Sequence, residues 1–234
     1  FAAVAALAFA FVMVPSPGAA AVPQSIPSPA APDNTEVISN AIGYVASQQD
    51  PNGGFAPAGS FFAPEELTAR ALIATAAAGY PIDTLTSVSG TTALEFLEST
   101  LVSYTRDITG TLNPTRLGLA ILALTAAEAD PTALAGHDLV AELASTYHPA
   151  TGAYSTTLTV GAANAQQWAI LGLAAVQQTI PVTATNYLIN MQAPDGGWSY
   201  TGAPSFTSAD TTGMVVQALI ASGNVTRTNP ALVK

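Results

Sequence analysis

Two copies of one short phrase constrain this sequence more than any other feature. Residues 49–55 read QDPNGGF, and residues 192–198 read QAPDGGW. A shift of 143 residues superposes them, and it also lays Ala41, Tyr44 and Val45 on Ala184, Tyr187 and Leu188. The apolar positions before the turn therefore repeat at helical spacing. A second landmark recurs between the copies. Pro81, Pro131 and Pro181 stand 50 residues apart, and each follows an Ala-rich apolar stretch. Gly223 ends a fourth such stretch. A fixed period of about 45–50 residues is the mark of a repeat architecture.

Each unit reads as two helices. The first is amphipathic, over residues 36–49, 92–102, 138–147 and 184–192, with a stripe such as Leu94, Leu97 and Leu101. The second is apolar nearly all round, over 64–78, 114–129, 163–178 and 210–221. A helix apolar on every side is a buried one. Alternating half-exposed and buried helices predict a double layer of helical hairpins, an all-α fold. In the repeated phrase the glutamine ends an outer helix. The glycine pair supplies a positive φ and a close backbone approach. Phe55, Tyr154 and Trp198 then plug the seams between units. Around RDITG, near residue 106, the phrase is degenerate.

Apolar residues make up 49% of the 234 residues, and charged ones 9%, so a sizeable core is available. The net charge is -10, and the five basic residues (Arg70, Arg106, Arg116, Arg227 and Lys234) are scattered. No surface tracks a phosphate backbone, so nucleic acid is not expected as a partner. Without cysteine there is no disulfide, thiolate metal site or cysteine nucleophile. No nucleophile elbow, phosphate loop or dinucleotide fingerprint occurs, and no cofactor or metal is expected. His137 and His148 sit beside outer-helix ends, at expected surface positions.

Residues 1–14 form an apolar run of signal-peptide length, and Ala19 and Ala21 fit a cleavage site. The expected organisation is a truncated signal peptide over 1–21, a Pro/Ala-rich linker over 22–34, and a repeat domain over 35–234. The mature chain is expected outside the cytoplasm, secreted or at the cell surface, with no stable membrane span.

The pattern Q-x-x-x-G-G-[FW] between an amphipathic and a buried Ala/Leu helix resembles the α/α-toroid repeats of squalene/hopene cyclases and protein prenyltransferase β-subunits. The resemblance covers roughly residues 35–224 and implies about four hairpins of a partial toroid. In that family the inner helices open at their N-termini onto a central cavity. The prenyltransferase zinc site is absent, for want of cysteine. Of the cyclase acid motif, SADTT at 208–212 keeps only Asp210.

Alignment on the closing landmarks puts Glu66, Arg116, Gln166 and Asp210 at one position of successive inner helices. Glu66 and Asp210 suit the positive end of a helix dipole; Arg116 does not, and pairing with Glu66 would explain it. These residues read either as first-turn capping groups or as a polar ring lining a ligand cavity, with Trp168 as core or as an aromatic wall. Two functions follow. One is a non-catalytic module that binds a small apolar or amphipathic molecule, or a cell-surface partner, on its concave face. The other is a terpenoid-cyclase-like enzyme with Asp210 as general acid.

Overall fold

The computed structural model describes residues 34–155, 162–203, 206–226 and 228–232. The expected signal peptide and the linker up to residue 33 lie outside the described residues. Eight α-helices dominate the described chain: α1 (Thr35–Ser47), α2 (Pro64–Ala77), α3 (Ala93–Tyr104), α4 (Pro114–Ala126), α5 (Leu139–Ser145), α6 (Ala163–Ala175), α7 (Val182–Ile189) and α8 (Ala209–Ala221). A two-residue antiparallel pair, Tyr147–His148 with Ala153–Tyr154, closes one turn. The protein is all-α, as the periodicity predicts. No helix among the described residues is long and apolar enough to cross a membrane.

The buried helices follow one another in space. α4 packs on α2 and on α6, and α6 packs on α8, while α3, α5 and α7 pack against this row. The tightest crossing is between α4 and α6. A Cβ on Gly118 would overlap the Trp168 carbonyl, and one on Gly172 would lie 2.6 Å from the Gly118 oxygen. Glycine in mid-helix costs about 0.5–1 kcal/mol against alanine, and here it lets two backbones touch. Leu117, Ala120, Ile121 and Leu124 on α4, and Ala169 and Ile170 on α6, are fully buried around that contact.

Local signals start and stop these helices. Proline stands at the first position of α2 and α4, where its missing N–H costs nothing. Thr92 and Glu95 form a reciprocal cap on α3. Each buried helix ends on a left-handed residue: Gly79, Glu128, Gln177 and Gly223. In the first three, the next N–H reaches back to the final turn (Tyr80 to Thr75, Ala129 to Leu124 and Gln178 to Leu173), the signature of a Schellman close.

The repeated phrase is a staple between hairpins. Gln49 Nε2 donates to Gly53 O in its own turn, at 2.7 Å, and to Leu85 O ahead of α3, at 3.1 Å. Gln192 Nε2 does the same to Gly196 O, at 2.8 Å, and Ala231 O, at 2.7 Å. The turns of the second and third hairpins, at Arg106 and at Tyr147, keep the reach with other chemistry. Arg106 pairs with Glu142 on α5 at 2.7 Å, and Tyr147 Oη meets Thr183 Oγ1 on α7 at 2.5 Å. Glu142 also holds His137 Nδ1 at 2.8 Å, so this histidine is half-buried in an ion-paired seam. Gly53 and Gly196 take positive φ, and the second glycine of each pair admits a neighbour, Phe96 against Gly54 and Thr207 against Gly197. Phe55, Tyr154 and Trp198 are buried as plugs. Each contributes about 1.5–3 kcal/mol of apolar burial.

Candidate functional site

The N-terminal halves of α2, α4 and α6 carry four of the five candidate residues, and two polar jobs are done there. The first is structural. Each plug leaves its backbone N–H inside the fold, and a side chain of the following buried helix accepts it. Phe55 N–H donates to Thr68 Oγ1 (3.1 Å), Tyr154 N–H to Gln166 Oε1 (2.9 Å) and Trp198 N–H to Thr212 Oγ1 (3.0 Å). Buried backbone groups left unpaired cost roughly 1–3 kcal/mol each, which explains the acceptors.

Gln166 is therefore not a cavity residue. It is 0% exposed, and its Nε2 donates to Gly152 O and Ala184 O, both at 2.9 Å. All its hydrogen-bonding groups are held by backbone, so the expectation that it faces a ligand is corrected. Its structural counterparts are Thr68 and Thr212, not Glu66 and Asp210. The proline ruler misplaced them, because the stretch from the left-handed helix end to the proline grows along the chain: Gly79 to Pro81, Glu128 to Pro131, Gln177 to Pro181. Counted from those left-handed residues, Thr68, Gln166 and Thr212 share one offset. Leu117 has that offset in α4, and its buried apolar side chain offers no acceptor.

The second job gathers charge against aromatic rings. Arg70, one turn after Glu66 on α2, donates from Nε (3.2 Å) and Nη2 (2.8 Å) to Glu66 Oε1. Its guanidinium carbon lies 5.7 Å from the Phe62 ring centroid and 5.3 Å from that of Trp168. Arg70 thus spans from α2 across to α6. The expected pairing of Arg116 with Glu66 is not formed; Arg70, four residues along the same helix, takes that carboxylate. Arg116 instead lies 4.8 Å over the Tyr104 ring and donates from Nη1 to the Tyr104 carbonyl at 3.0 Å. A buried carbonyl at the end of α3 is the reason for a cation on a first turn, where the dipole opposes it.

Burial pushes the Tyr104 hydroxyl well above its ordinary range; the Glu66 charge adds to this, and Arg116 opposes it. Glu65 and Arg70 act on the same ring in opposite senses. Glu66, Arg70, Arg116, Tyr104 and Trp168 thus form one electrostatic neighbourhood. Glu66 keeps 23% and Arg70 45% of its side chain exposed, so the cluster opens to solvent at that pair only; Tyr104 and Trp168 are buried, and Trp168 packs as core behind Arg70 rather than as a cavity wall. Asp210 does not join it. It is exposed in the first turn of α8, beside a cap in which Ser208 accepts from the Thr211 N–H at 3.1 Å.

Sequence reasoning missed Arg70, Tyr104 and Phe62. The Glu66–Arg70 spacing was a visible signal; the contacts of Arg70 with Trp168 and of Tyr104 with Arg116 had none. The cluster offers cations on aromatic faces beside a carboxylate, a setting for binding an amphipathic molecule by ring contact and charge together. Among the described residues, no three His, Asp or Glu side chains are placed to hold a metal ion. No protein-family model matches the chain, and no curated protein matches it.

Proposed function

We propose that this chain is an exported repeat domain of the α/α-toroid kind, acting as a non-catalytic module that binds a small amphipathic molecule on the face shared by α2, α4 and α6. The observation that carries this reading is Arg70, which lies against Phe62 and Trp168 from two different elements while half-exposed. An arginine so placed offers one ligand a cation beside the exposed Phe62 ring, with the buried Trp168 ring holding it from behind. The row of consecutively packed buried helices, closed by the same left-handed turn each time, supports the toroid-like architecture. Asp210 supports binding over acid catalysis. A general acid works from a site that shields its proton from water, and this carboxyl stands exposed on a first turn.

The test is a titration of the whole domain with 8-anilinonaphthalene-1-sulfonate, read by tryptophan-to-probe energy transfer. Arg70→Ala and Trp168→Phe are each expected to weaken binding, with Arg70→Ala costing about 1–3 kcal/mol as a charged hydrogen-bonding partner is lost. Trp198→Phe, in a sealed plug, is expected to leave affinity unchanged. Equal affinity in all three variants overturns the reading. Export is checked by the mature N-terminus of protein made from a gene carrying the leader, expected near Val22; a product keeping residues 1–14 overturns that part.

A further inference from the structure

A cleft of about 370 Å³ lies at the third hairpin, and no residue of the arginine cluster is in its lining. It is bounded by α5, the C-terminal end of α6 and the turn into α7, and its lining includes Asp138, Tyr147, Tyr154, Leu173, Gln178 and Thr179. We propose that this cleft binds a neutral, hydroxyl-rich ligand of one or two sugar rings.

The chemistry of the lining selects that class. Tyr154 is buried beneath the partly exposed Tyr147, with ring centroids 5.1 Å apart and planes tilted by 42°, so Tyr147 is the ring that can meet the C–H face of a sugar. Leu173 extends the apolar floor. Around this floor stand polar groups with spare capacity. Asp138 caps α5 with Oδ1, which accepts from Ala141 N–H at 2.9 Å, and its second oxygen has no partner among the described residues. The side chains of Gln178 and Thr179 are exposed and likewise unpartnered there. A carboxylate oxygen, a primary amide and a hydroxyl together supply the acceptors and donors that adjacent hydroxyls need. No lysine or arginine lines the cleft, so a phosphate or carboxylate head would find no counter-charge. Its volume falls at the small end of the roughly 300–1,000 Å³ usual for small-molecule sites, and its few polar groups on a mostly apolar wall fit the same pattern.

The experiment is an amide NMR titration of the whole domain with D-glucose, maltose and cellobiose up to tens of millimolar. Saturable shifts are expected at Ala141, Ala144, Gln178 and Thr179. Asp138→Asn keeps the capping acceptor, and Gln178→Ala changes an exposed side chain, so both should fold as the parent does. Each is expected to weaken binding about fivefold, the loss that one hydrogen bond of ordinary strength implies. Ala144→Trp, from the exposed flank of α5, should fill the cleft and abolish the shifts. The proposal is overturned by no saturable shift with any of the three sugars, by shifts that persist in Ala144→Trp, or by shifts indifferent to both polar variants. Binding of benzylamine alone, lost in Asp138→Asn, overturns it in favour of a cation site.

Discussion

Nε2 of Gln192 holds two carbonyls that are 35 residues apart, Gly196 O and Ala231 O, and Gln49 repeats this on Gly53 and Leu85. Only a side chain with two N–H donors on a flexible stem can close its own turn and reach the following segment at once. Gln192→Ala is expected to cost about 1–3 kcal/mol, because part-buried carbonyls lose their donors. Gln48→Ala, whose exposed amide reaches only the neighbouring Ser47, should stay within about 0.5 kcal/mol. Urea unfolding monitored by circular dichroism separates the two; equal midpoints would refute the staple. The glutamine was legible in the sequence as a repeated letter, and so was its place at the end of an outer helix. Its second partner was not, because the carbonyl it reaches is 36 residues on in one copy and 39 in the other.

The element scale is governed by how the buried helices stop. Gly79 and Gly223 close α2 and α8 without strain, whereas Glu128 and Gln177 hold φ 58° with a side chain attached. A left-handed conformation costs a non-glycine residue roughly 1 kcal/mol or more. Glu128→Gly and Gln177→Gly are therefore expected to raise stability by a few tenths to about 1 kcal/mol each, offset in part by the greater freedom of glycine in the unfolded chain. Thermal unfolding decides this, and a drop in midpoint for both variants would mean that their side chains stabilise the fold in a way the turn geometry does not show. The period and the identity of the helices were readable because burial on every side writes itself into composition. The register of the first-turn residues was not, since the loop from helix end to proline varies in length. That variation turned Thr68 and Thr212 into Glu66 and Asp210 in the sequence alignment.

Across the whole molecule, acidic groups couple stability to pH at both ends of the range. Asp107, Asp130 and Asp195 are held below the usual carboxylate range, each first by a threonine hydroxyl (Thr109, Thr132 and Thr207), and Glu95 by the Thr92 N–H. A carboxyl with a lowered folded value contributes stability above its ordinary value, and loses it as pH falls through the lowered one. Burial, by contrast, raises Tyr104 and Tyr154 above their ordinary range. That contribution is complete below about pH 10, the ordinary tyrosine value, and is lost as pH rises through the raised one. Thermal midpoints are thus expected to be level near neutrality, to fall below about pH 4, and to fall again above about pH 10. Replacing Asp107, Asp130 and Asp195 together by Asn should flatten the acid limb. An acid limb identical to the parent's would show that other groups govern it.

The sequence by itself determined that the chain is all-α, built from paired helices in a period of about 45–50 residues, with glycine pairs and aromatic plugs at the turns. These follow from local rules, in which periodicity, caps and breakers act within a few residues of where they are written. Only the tertiary structure decided what the polar residues do. Gln166 is spent on backbone because the loops around it bury their amides. Arg116 serves a carbonyl of α3, and Arg70 of α2 reaches Trp168 of α6. Ala41 is exposed while its repeat partner Ala184 is buried against Gly152 and Gln166 of the preceding hairpin. Identical letters take different environments because, in a stack of repeats, the environment comes from the neighbouring unit, and the phrase itself says nothing about which neighbour is there.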